Sequence, residues 1–495
     1  MKEERDDSYG HVLKYTSIFG GVQGLNILIG LVRNKVVALL LGPSGMGLAS
    51  LFQTTVNFIS QTTNLGISFS AVRNVSELFD TGDAERVNHF VKVVRAWALL
   101  TGLVGMLLCI LVGPLLSSLT FSWGDHTLHF VLLSPLVALL AVTGGETAIL
   151  KGARRLRSLA AIQVYNVLIA LVVTIPIYYF FGQSGIVPVM VLMGLAALLL
   201  TVRCSYRLYP LQLTGAKGVL GEGMGMVRLG VAFTLAGVLG SGADFVIRSY
   251  LNNIAGLEIV GLYNTGYMMT MTYAGLIFTA METDFFPRLS AVNTDWGSCN
   301  EIVNKQIEVS LLLLSPMLVA AQFAVPYVIP ILFSSKFLPV VDMMRILFLA
   351  LYLRAVKLPI AYLPLAKGDS LSYLFLEAVY DVAVVLLVIW GYTWWGLTGT
   401  GVAITLTAFL DYFLLVGYAY VVYHYRMTAA VVGHTLLHVS IGIVAFLLAV
   451  FAEGWQWWIG GLLVFTLCLS LTLYTLYHKV ALWNKLMSKL RHRFR

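Results

Sequence analysis

Charged residues are scarce in this chain. Only 11% of its 495 residues are Asp, Glu, Lys or Arg, against about 25% in an ordinary soluble domain. No long polar stretch offsets the 59% hydrophobic content, and the mean hydropathy is +0.84. This excludes a soluble multidomain enzyme, for which the length alone leaves room. Strand-length polar–apolar alternation is also missing, which excludes an outer-membrane barrel. Cysteine is rare. Cys109, Cys204, Cys299 and Cys468 fall in no outside loop of the topology below and have no C-x-x-C spacing, so neither a structural disulfide nor a metal site is expected. No Walker A pattern occurs, so the chain is not expected to hydrolyse ATP. The connection near Trp123-Gly-Asp125-His126 is among the longer outside loops and is still small. No catalytic constellation stands out, and the chain is not expected to be an enzyme. The first apolar segment is too long for a cleavable signal peptide and lacks a small-residue cleavage site.

What is present is a series of apolar runs of membrane-spanning length. A helix needs about 20 such residues to cross a bilayer core. Cutting at polar clusters and Gly/Pro punctuation gives fourteen, at roughly 13–41, 45–70, 89–116, 127–150, 158–181, 185–208, 229–254, 260–286, 306–333, 338–366, 370–391, 395–422, 433–452 and 456–478. The expected fold is an all-α polytopic membrane protein with both termini on one side. Placing them in the cytoplasm puts 25 of the 32 Lys and Arg residues in inside segments, with Lys336 alone outside and six within spans. That is the positive-inside distribution. The net charge of +8 is therefore an orientation signal facing anionic lipid, and no nucleic-acid partner is needed to explain it. The tail from Lys479 to Arg495 is basic with Trp483, Leu486 and Phe494 interleaved. It lies along anionic lipid or is simply solvated.

The chain carries an internal repeat. Leu41-Gly42-Pro-Ser-Gly-Met-Gly47-Leu48 and Ala255-Gly256-Leu-Glu-Ile-Val-Gly261-Leu262 are both Gly-x-x-x-x-Gly-Leu turns, each preceded by a cation, and they lie 214 residues apart. The spans carrying them run in the same direction, so the repeat is parallel. This predicts two pseudo-symmetric six-helix lobes, 1–215 and 216–426, followed by an extra helix pair and basic tail at 427–495. Repeats of this kind are a transporter feature, with the substrate path near midplane between them.

Ionisable residues inside a membrane are costly and face a bundle interior or a wet cavity. The cations are Arg33 and Lys35 (span 1), Arg248 (span 7), and Arg345, Arg354 and Lys357 (span 10). A cavity lined this way attracts a polyanion, because Arg and Lys hold phosphate through charge-assisted hydrogen bonds. The competing reading is that long cationic side chains near helix ends snorkel to the interface. The acids are Glu146, Asp244, Glu282, Asp284, Glu377, Asp381 and Asp411. Asp244 and Arg248 are four residues apart and can neutralise each other. Glu377 and Asp381 share a face with like charge, about 6 Å apart. They are tolerated if one holds a proton or both share a cation. With Asp244 they could form a Na⁺ or H⁺ site, or they could pair with Arg354 or Lys357 across the bundle. His434 and His438 have a zinc-compatible spacing without a third ligand, so they read as helix-face histidines and no metal is assigned.

Three stretches carry a family resemblance. They are Leu41-Gly-Pro-Ser-Gly-Met-Gly-Leu48 followed by Gly66-Ile-Ser-Phe-Ser-Ala-Val-Arg73; Leu150-Lys-Gly-Ala-Arg154; and Phe333-Ser-Ser-Lys-Phe337 with Asp342, Arg345 and Leu365-Ala-Lys-Gly-Asp369. In that order they resemble Wzx-type polysaccharide flippases of the multidrug/oligosaccharidyl-lipid/polysaccharide (MOP) exporter superfamily. The likeness is nearest to flippases for lipid III, the lipid-linked repeat unit of enterobacterial common antigen. It covers about the first 425 residues. The resemblance implies movement of an undecaprenyl-pyrophosphate-linked oligosaccharide from the cytoplasmic to the outer leaflet of a bacterial inner membrane. The product would serve O-antigen, common-antigen or capsule synthesis. A glycan polymerase and a chain-length regulator are implied partners, with no cofactor beyond a coupling ion, Na⁺ or H⁺. Lys35 matches the family's first-helix cation and Arg248 lies in its second-lobe counterpart. The acids of spans 7 and 11 loosely resemble the sodium site of lipid II flippases. Most such flippases have twelve spans; the added pair is a departure shared with the lipid II flippases. The alternative is an ion-coupled drug or metabolite antiporter of the same superfamily, which predicts a cavity dominated by acids and aromatics.

Overall fold

The computed structural model describes residues 3–211, 219–272 and 288–479, with Gly275, Phe278, Phe285 and Phe286 between them. Glu282 and Asp284, Lys217 and the tail after Lys479 lie outside the described residues. Among the described residues every regular element is helical and no strand occurs. Hydrocarbon leaves each backbone N–H and C=O to be satisfied within its own segment, which a helix does. Among the described residues nine stretches are long and apolar enough to cross a membrane. The chain is a multi-pass helical membrane protein.

In chain order the helices are α1 (Glu3–Thr63), α2 (Ile67–Asp80), α3 (Ala84–Thr120), α4 (Thr127–Gly152), α5 (Leu156–Phe181), α6 (Ile186–Leu208), the short α7 (Val219–Glu222), α8 (Met224–Ala255), α9 (Leu257–Tyr267), α10 (Trp296–Leu332), α11 (Val341–Ala366), α12 (Ser370–Tyr423), α13 (Ala429–Phe451) and α14 (Gly454–Lys479). The second expected span is cut short. α1 ends at Thr63 because Leu65 and Gly66 turn left-handed, and α2 starts anew. Its apolar residues Ile67, Ala71 and Val75 pack on Val87, Val91 and Val94 of α3 and on Ile149 of α4.

Glycine bends three of the nine stretches. Gly42 interrupts α1 at φ 67°, ψ −174°. Gly182 separates α5 from α6 at φ 54°, ψ −131°. Gly396 breaks α12 at φ 56°, ψ −140°. A side chain at positive φ is strained, which is why glycine stands there. A straight 54-residue α12 would be about 81 Å long, against a hydrocarbon core of ~30 Å. The chain folds back instead, with Gly399 against the Gly391 carbonyl. Exposed Phe180 and Phe181 flank the first bend of this type and exposed Trp394 and Trp395 the second, as expected where a chain meets the membrane interface.

The bends recur at one offset. Gly256, 214 residues after Gly42, has φ 84°, ψ 176°. Gly396 follows Gly182 at the same interval, and Gly368 (φ 74°) follows Arg154 (φ 55°) likewise. Gly185 packs on the Ile177 carbonyl as Gly399 packs on that of Gly391. The repeat seen in the sequence thus has matching backbone torsions.

Cα packing groups the chain into two compact units, Met1–Leu262 with Ile331–Lys336, and Tyr263–Pro330 with Phe337–Arg495. The first unit includes α8 and the start of α9, which the repeat assigns to the second half. The reason is a reciprocal backbone contact. A Cβ on Gly47 would collide with the Leu257 carbonyl oxygen, and one on Gly261 with that of Pro43. Each repeat's second glycine lies on the residue that follows the other repeat's first. Small residues permit such close helix approach.

The end of α8 is also tied to the end of α3. Asn252 Nδ2 donates to the Thr120 carbonyl at 2.7 Å and Asn253 Nδ2 to that of Leu119 at 2.7 Å. The Ser122 amide returns a bond to Asn253 Oδ1 at 3.1 Å. Asn252 is buried, so Asn252→Ala is expected to cost about 1–3 kcal/mol and to lower the melting temperature in detergent. Asn252→Asp, which also lacks the donor, should do the same; a wild-type melt for both would remove this tie from the account.

In the second unit α11 packs along α12. The terminal pair joins through Val319 (α10), Ile441 and Ala445 (α13) and Cys468 (α14). His434 meets Glu308 of α10 at 2.9 Å, an anchor for α13 on α10.

Candidate functional site

The second unit gathers charge inside its helices. On α11, Arg354 and Lys357 are three residues apart and lie on one face. On α12, Glu377, Tyr380 and Asp381 precede the break at Gly396, and Asp411 follows it. In a straight helix Glu377 and Asp411 would be about 51 Å apart. The fold-back brings both to one small cavity with Lys357 and Tyr380, lined also by Ala361, Tyr373, Leu376 and Leu415. Its volume is about 20 Å³, room for roughly one water.

The Lys357 ammonium ion-pairs with the Asp411 carboxylate and sits 4.3 Å from the centre of the Tyr380 ring. The side chain of Lys357 is 18% exposed and that of Asp411 7%, so the pair is shielded. Glu377 lies within electrostatic reach of Lys357, Asp411 and Arg354. Asp381 is buried one turn on. Arg354 donates to the Met271 carbonyl at 3.4 Å and lies 5.6 Å from the Phe278 ring. Met271 belongs to a π-helical turn, Met268–Thr272. Such turns loosen the regular backbone ladder, which suits a carbonyl that accepts from a side chain.

The other expected cations are placed separately. Arg345 is buried and does not snorkel: its Nε donates to the Gln322 carbonyl at 3.4 Å, and Gln322 Nε2 donates to the Arg345 carbonyl at 2.9 Å. In the first unit Arg248 is buried, 2.7 Å from Asp244 Oδ1, with its Nε donating to Ser50 Oγ of α1 at 3.1 Å. Asp244 is therefore the i, i+4 partner of Arg248, and its side chain is 41% exposed. Arg33 and Lys35 are half-buried on α1, and Arg33 Nη2 donates to Asn34 Oδ1 at 3.3 Å.

The sequence leaves two charged groups without their partners. Asp411 stood among the acids without a partner, although it is the lone charge in the second half of α12, 396–423. A single acid in such a segment calls for a cation from elsewhere. The positive-inside count takes Arg95 as an inside-loop cation, although the expected span 89–116 contains it. It lies within α3, 10% exposed, with its Nε 2.8 Å from Glu146 Oε1. Glu146 is 1% exposed, and its burial requires that counter-charge. The charged cluster has no charged counterpart in the first repeat. Arg354, Lys357, Glu377 and Asp411 correspond at the 214-residue offset to Leu140, Thr143, Gln163 and Ala197.

The model of a family described as polysaccharide biosynthesis protein matches residues 36–342, more than half of the chain. The chain belongs to this polysaccharide biosynthesis protein family. No curated protein matches it by sequence. Solved structures give its fold. The lipid II flippase MurJ in an inward closed conformation is similar with a TM-score of 0.72 at 14% identity, over 93% of this chain and 99% of that one. An inward-facing multidrug-resistance MATE family transporter of the MOP superfamily matches with a TM-score of 0.65 at 14% identity, over 83% and 98%. A MOP superfamily transporter from Pyrococcus furiosus, described as having a binding pocket of reverse polarity, matches with 0.53 at 16%, over 83% and 94%. The family member thus has the fold of MOP flippases and transporters.

Chemically, the cluster of this family member can hold an anion or exchange a cation, since it combines two cations, three carboxylates and an aromatic face. Its framework is fixed at the loop before α12. Asp369 accepts from the Ser372 hydroxyl and amide and from Tyr423 Oη at 2.8 Å, which ties the two ends of α12 together. Those bonds, the Ser372 hydroxyl first, hold its carboxyl below the ordinary carboxylate range. The tie is strongest above that range and weakens as pH falls through the lowered value.

Proposed function

We propose that this protein is a flippase, and not an enzyme, that moves undecaprenyl-pyrophosphate-linked oligosaccharides from the cytoplasmic to the outer leaflet by alternating access. The polysaccharide biosynthesis family supplies the glycan context. The observation that carries the reading is the extent of the structural likeness. The lipid II flippase fold accounts for 93% of the chain and the MATE fold for 83%. The difference is about the size of the terminal pair α13–α14. Fourteen spans in two six-helix lobes plus that pair belong to this reading, and the bends at Gly42, Gly182 and Gly396, which divide three of the nine described stretches, support it. The positive-inside count supports cytoplasmic termini in a bacterial inner membrane.

On this reading Arg33, Lys35, Arg248, Arg345, Arg354 and Lys357 attract the pyrophosphate. Lys357 offers the strongest position because it lines a cavity, and Arg354 lies one turn before it on the same face of α11. The polyprenyl tail stays in the bilayer, since each CH₂ moved into a polar cavity costs about 0.8 kcal/mol. Glu377, Asp381 and Asp244 are the candidates to serve a coupling ion, Na⁺ or H⁺. The sugar end suits an O-antigen, common-antigen (lipid III) or capsule repeat unit, delivered to a glycan polymerase and its chain-length regulator.

Charge reversal tests the reading. Arg248→Glu and Lys357→Glu are each expected to lower surface glycan at least tenfold and to accumulate lipid-linked intermediate in the inner leaflet. Unchanged glycan and unchanged intermediates in both variants would rule the cationic cavity out. The acids Glu377, Asp381 and Asp411 beside Tyr380 favour a second reading, an ion-coupled drug or metabolite antiporter. Drug tolerance that falls in a deletion strain while surface glycan stays normal would decide for it.

A further inference from the structure

We propose that Asp411 is a built-in stand-in for the anionic group of the substrate: its carboxylate occupies Lys357 in the unloaded protein and is displaced when a pyrophosphate binds. The proposal rests on the flippase reading above and adds a residue and a mechanism to it.

Three observations converge. First, Lys357 is the cation beside the cavity, and its ammonium is already engaged, by Asp411 and by the face of Tyr380. Second, the cavity there has a volume of about 20 Å³, enough for roughly one water and far too little for a pyrophosphate. A headgroup that takes over the ammonium must part it from the Asp411 carboxylate. Third, the pair is particular to one repeat: the corresponding positions are Thr143 and Ala197. A pair needed only to pack the fold would not have to be confined to the copy that also carries Arg354 and Glu377.

The physical logic is competition. A shielded lysine without an anion is costly, so the unloaded protein supplies one from its own chain. A diphosphate offers more charge and more acceptor oxygens than one carboxylate, and it can draw on Arg354 as well. When it leaves, Asp411 returns and again shields the ammonium. The carboxylate thus weakens binding and speeds release, as any internal competitor lowers apparent affinity by the fraction of time the site is open.

The test uses the full chain in lipid nanodiscs and undecaprenyl pyrophosphate as the probe, with binding followed by native mass spectrometry and release by stopped-flow dilution. Asp411→Asn is expected to bind about tenfold more tightly than wild type and to release correspondingly more slowly. Asp411→Thr, a second neutral variant, carries the same expectation should the first fold poorly. Lys357→Met should lose most binding, and adding Asp411→Asn to it should restore none. A merely structural role for Asp411 would give weaker binding or none of these changes. If wild type binds and the neutral variants bind equally or less tightly, the stand-in idea is overturned while the flippase reading stands. If wild type fails to bind the probe, or Lys357→Met binds as wild type does, the anionic-headgroup reading falls and this inference with it.

Discussion

Gly261→Ala is expected to abolish function and to leave little folded protein. The added methyl would fall on the carbonyl oxygen of Pro43, a backbone atom that cannot rotate away. Relief requires the start of α9 to part from α1, which would also pull Gly47 off Leu257. Overpacking of this kind costs roughly 3 kcal/mol, and here it acts on two helices at once. Gly47→Ala should behave alike, because it meets the Leu257 oxygen in the reciprocal contact. Gly417→Ala is the control. Nothing lies near a Cβ there, and alanine at a helix interior should stabilise by up to about 1 kcal/mol. Melting in detergent and recovery of surface glycan in a deletion strain are the measurements. Equal melting of Gly261→Ala and Gly417→Ala would mean that α1 and α9 do not touch as described.

Arg95→Met is expected to be nearly as damaging for a different reason. It leaves the Glu146 carboxylate, 1% exposed, without a counter-charge. Removing one partner of a buried pair costs about 3–5 kcal/mol. Arg95 also donates to Ser205 at 3.3 Å and lies 4.2 Å from the Tyr206 ring, so α3, α4 and α6 lose a common tie. The double change Arg95→Met with Glu146→Leu should recover most of the stability, since an apolar pair of similar volume often replaces a buried ion pair without loss. Recovery of folding together with glycan export would mark this pair as structural. A folded but inactive double variant would give Arg95 a place in transport that its position does not suggest.

These two sites differ in how far the sequence discloses them. The glycines were visible, because Gly-x-x-x-x-Gly-Leu recurs at a fixed interval and a repeated turn needs a repeated torsion. Their mutual contact was not, since nothing in either turn names the other as its neighbour. The helices were legible from apolar length: the expected 158–181 and 185–208 lie close to α5 and α6, and the break expected after residue 391 falls at Trp395–Gly396. The end of the second span was not, because a left-handed Leu65 stops α1 seven residues early and hydropathy carries no trace of a torsion.

Charges were legible as a set and not as pairs. Sequence singled out Lys357 and Arg354 by their depth in an apolar run. It offered Glu377 and Asp381 as their partners across the bundle. The carboxylate that meets Lys357 is Asp411, brought there by a fold-back at one glycine. Arg95 shows the opposite case. Its place near a loop hid the fact that α3 begins at Ala84, which carries the guanidinium three turns into a helix and against Glu146.

The Lys357–Asp411 pair has an electrical consequence. A membrane potential does work on a group in proportion to the net charge that moves with it, about 2.3 kcal/mol per unit charge for each 100 mV crossed. A lysine closed on an aspartate is a dipole with none. While the pair is shut, moving its two members together carries no net charge across the field; once it opens, a displacement of either member alone does.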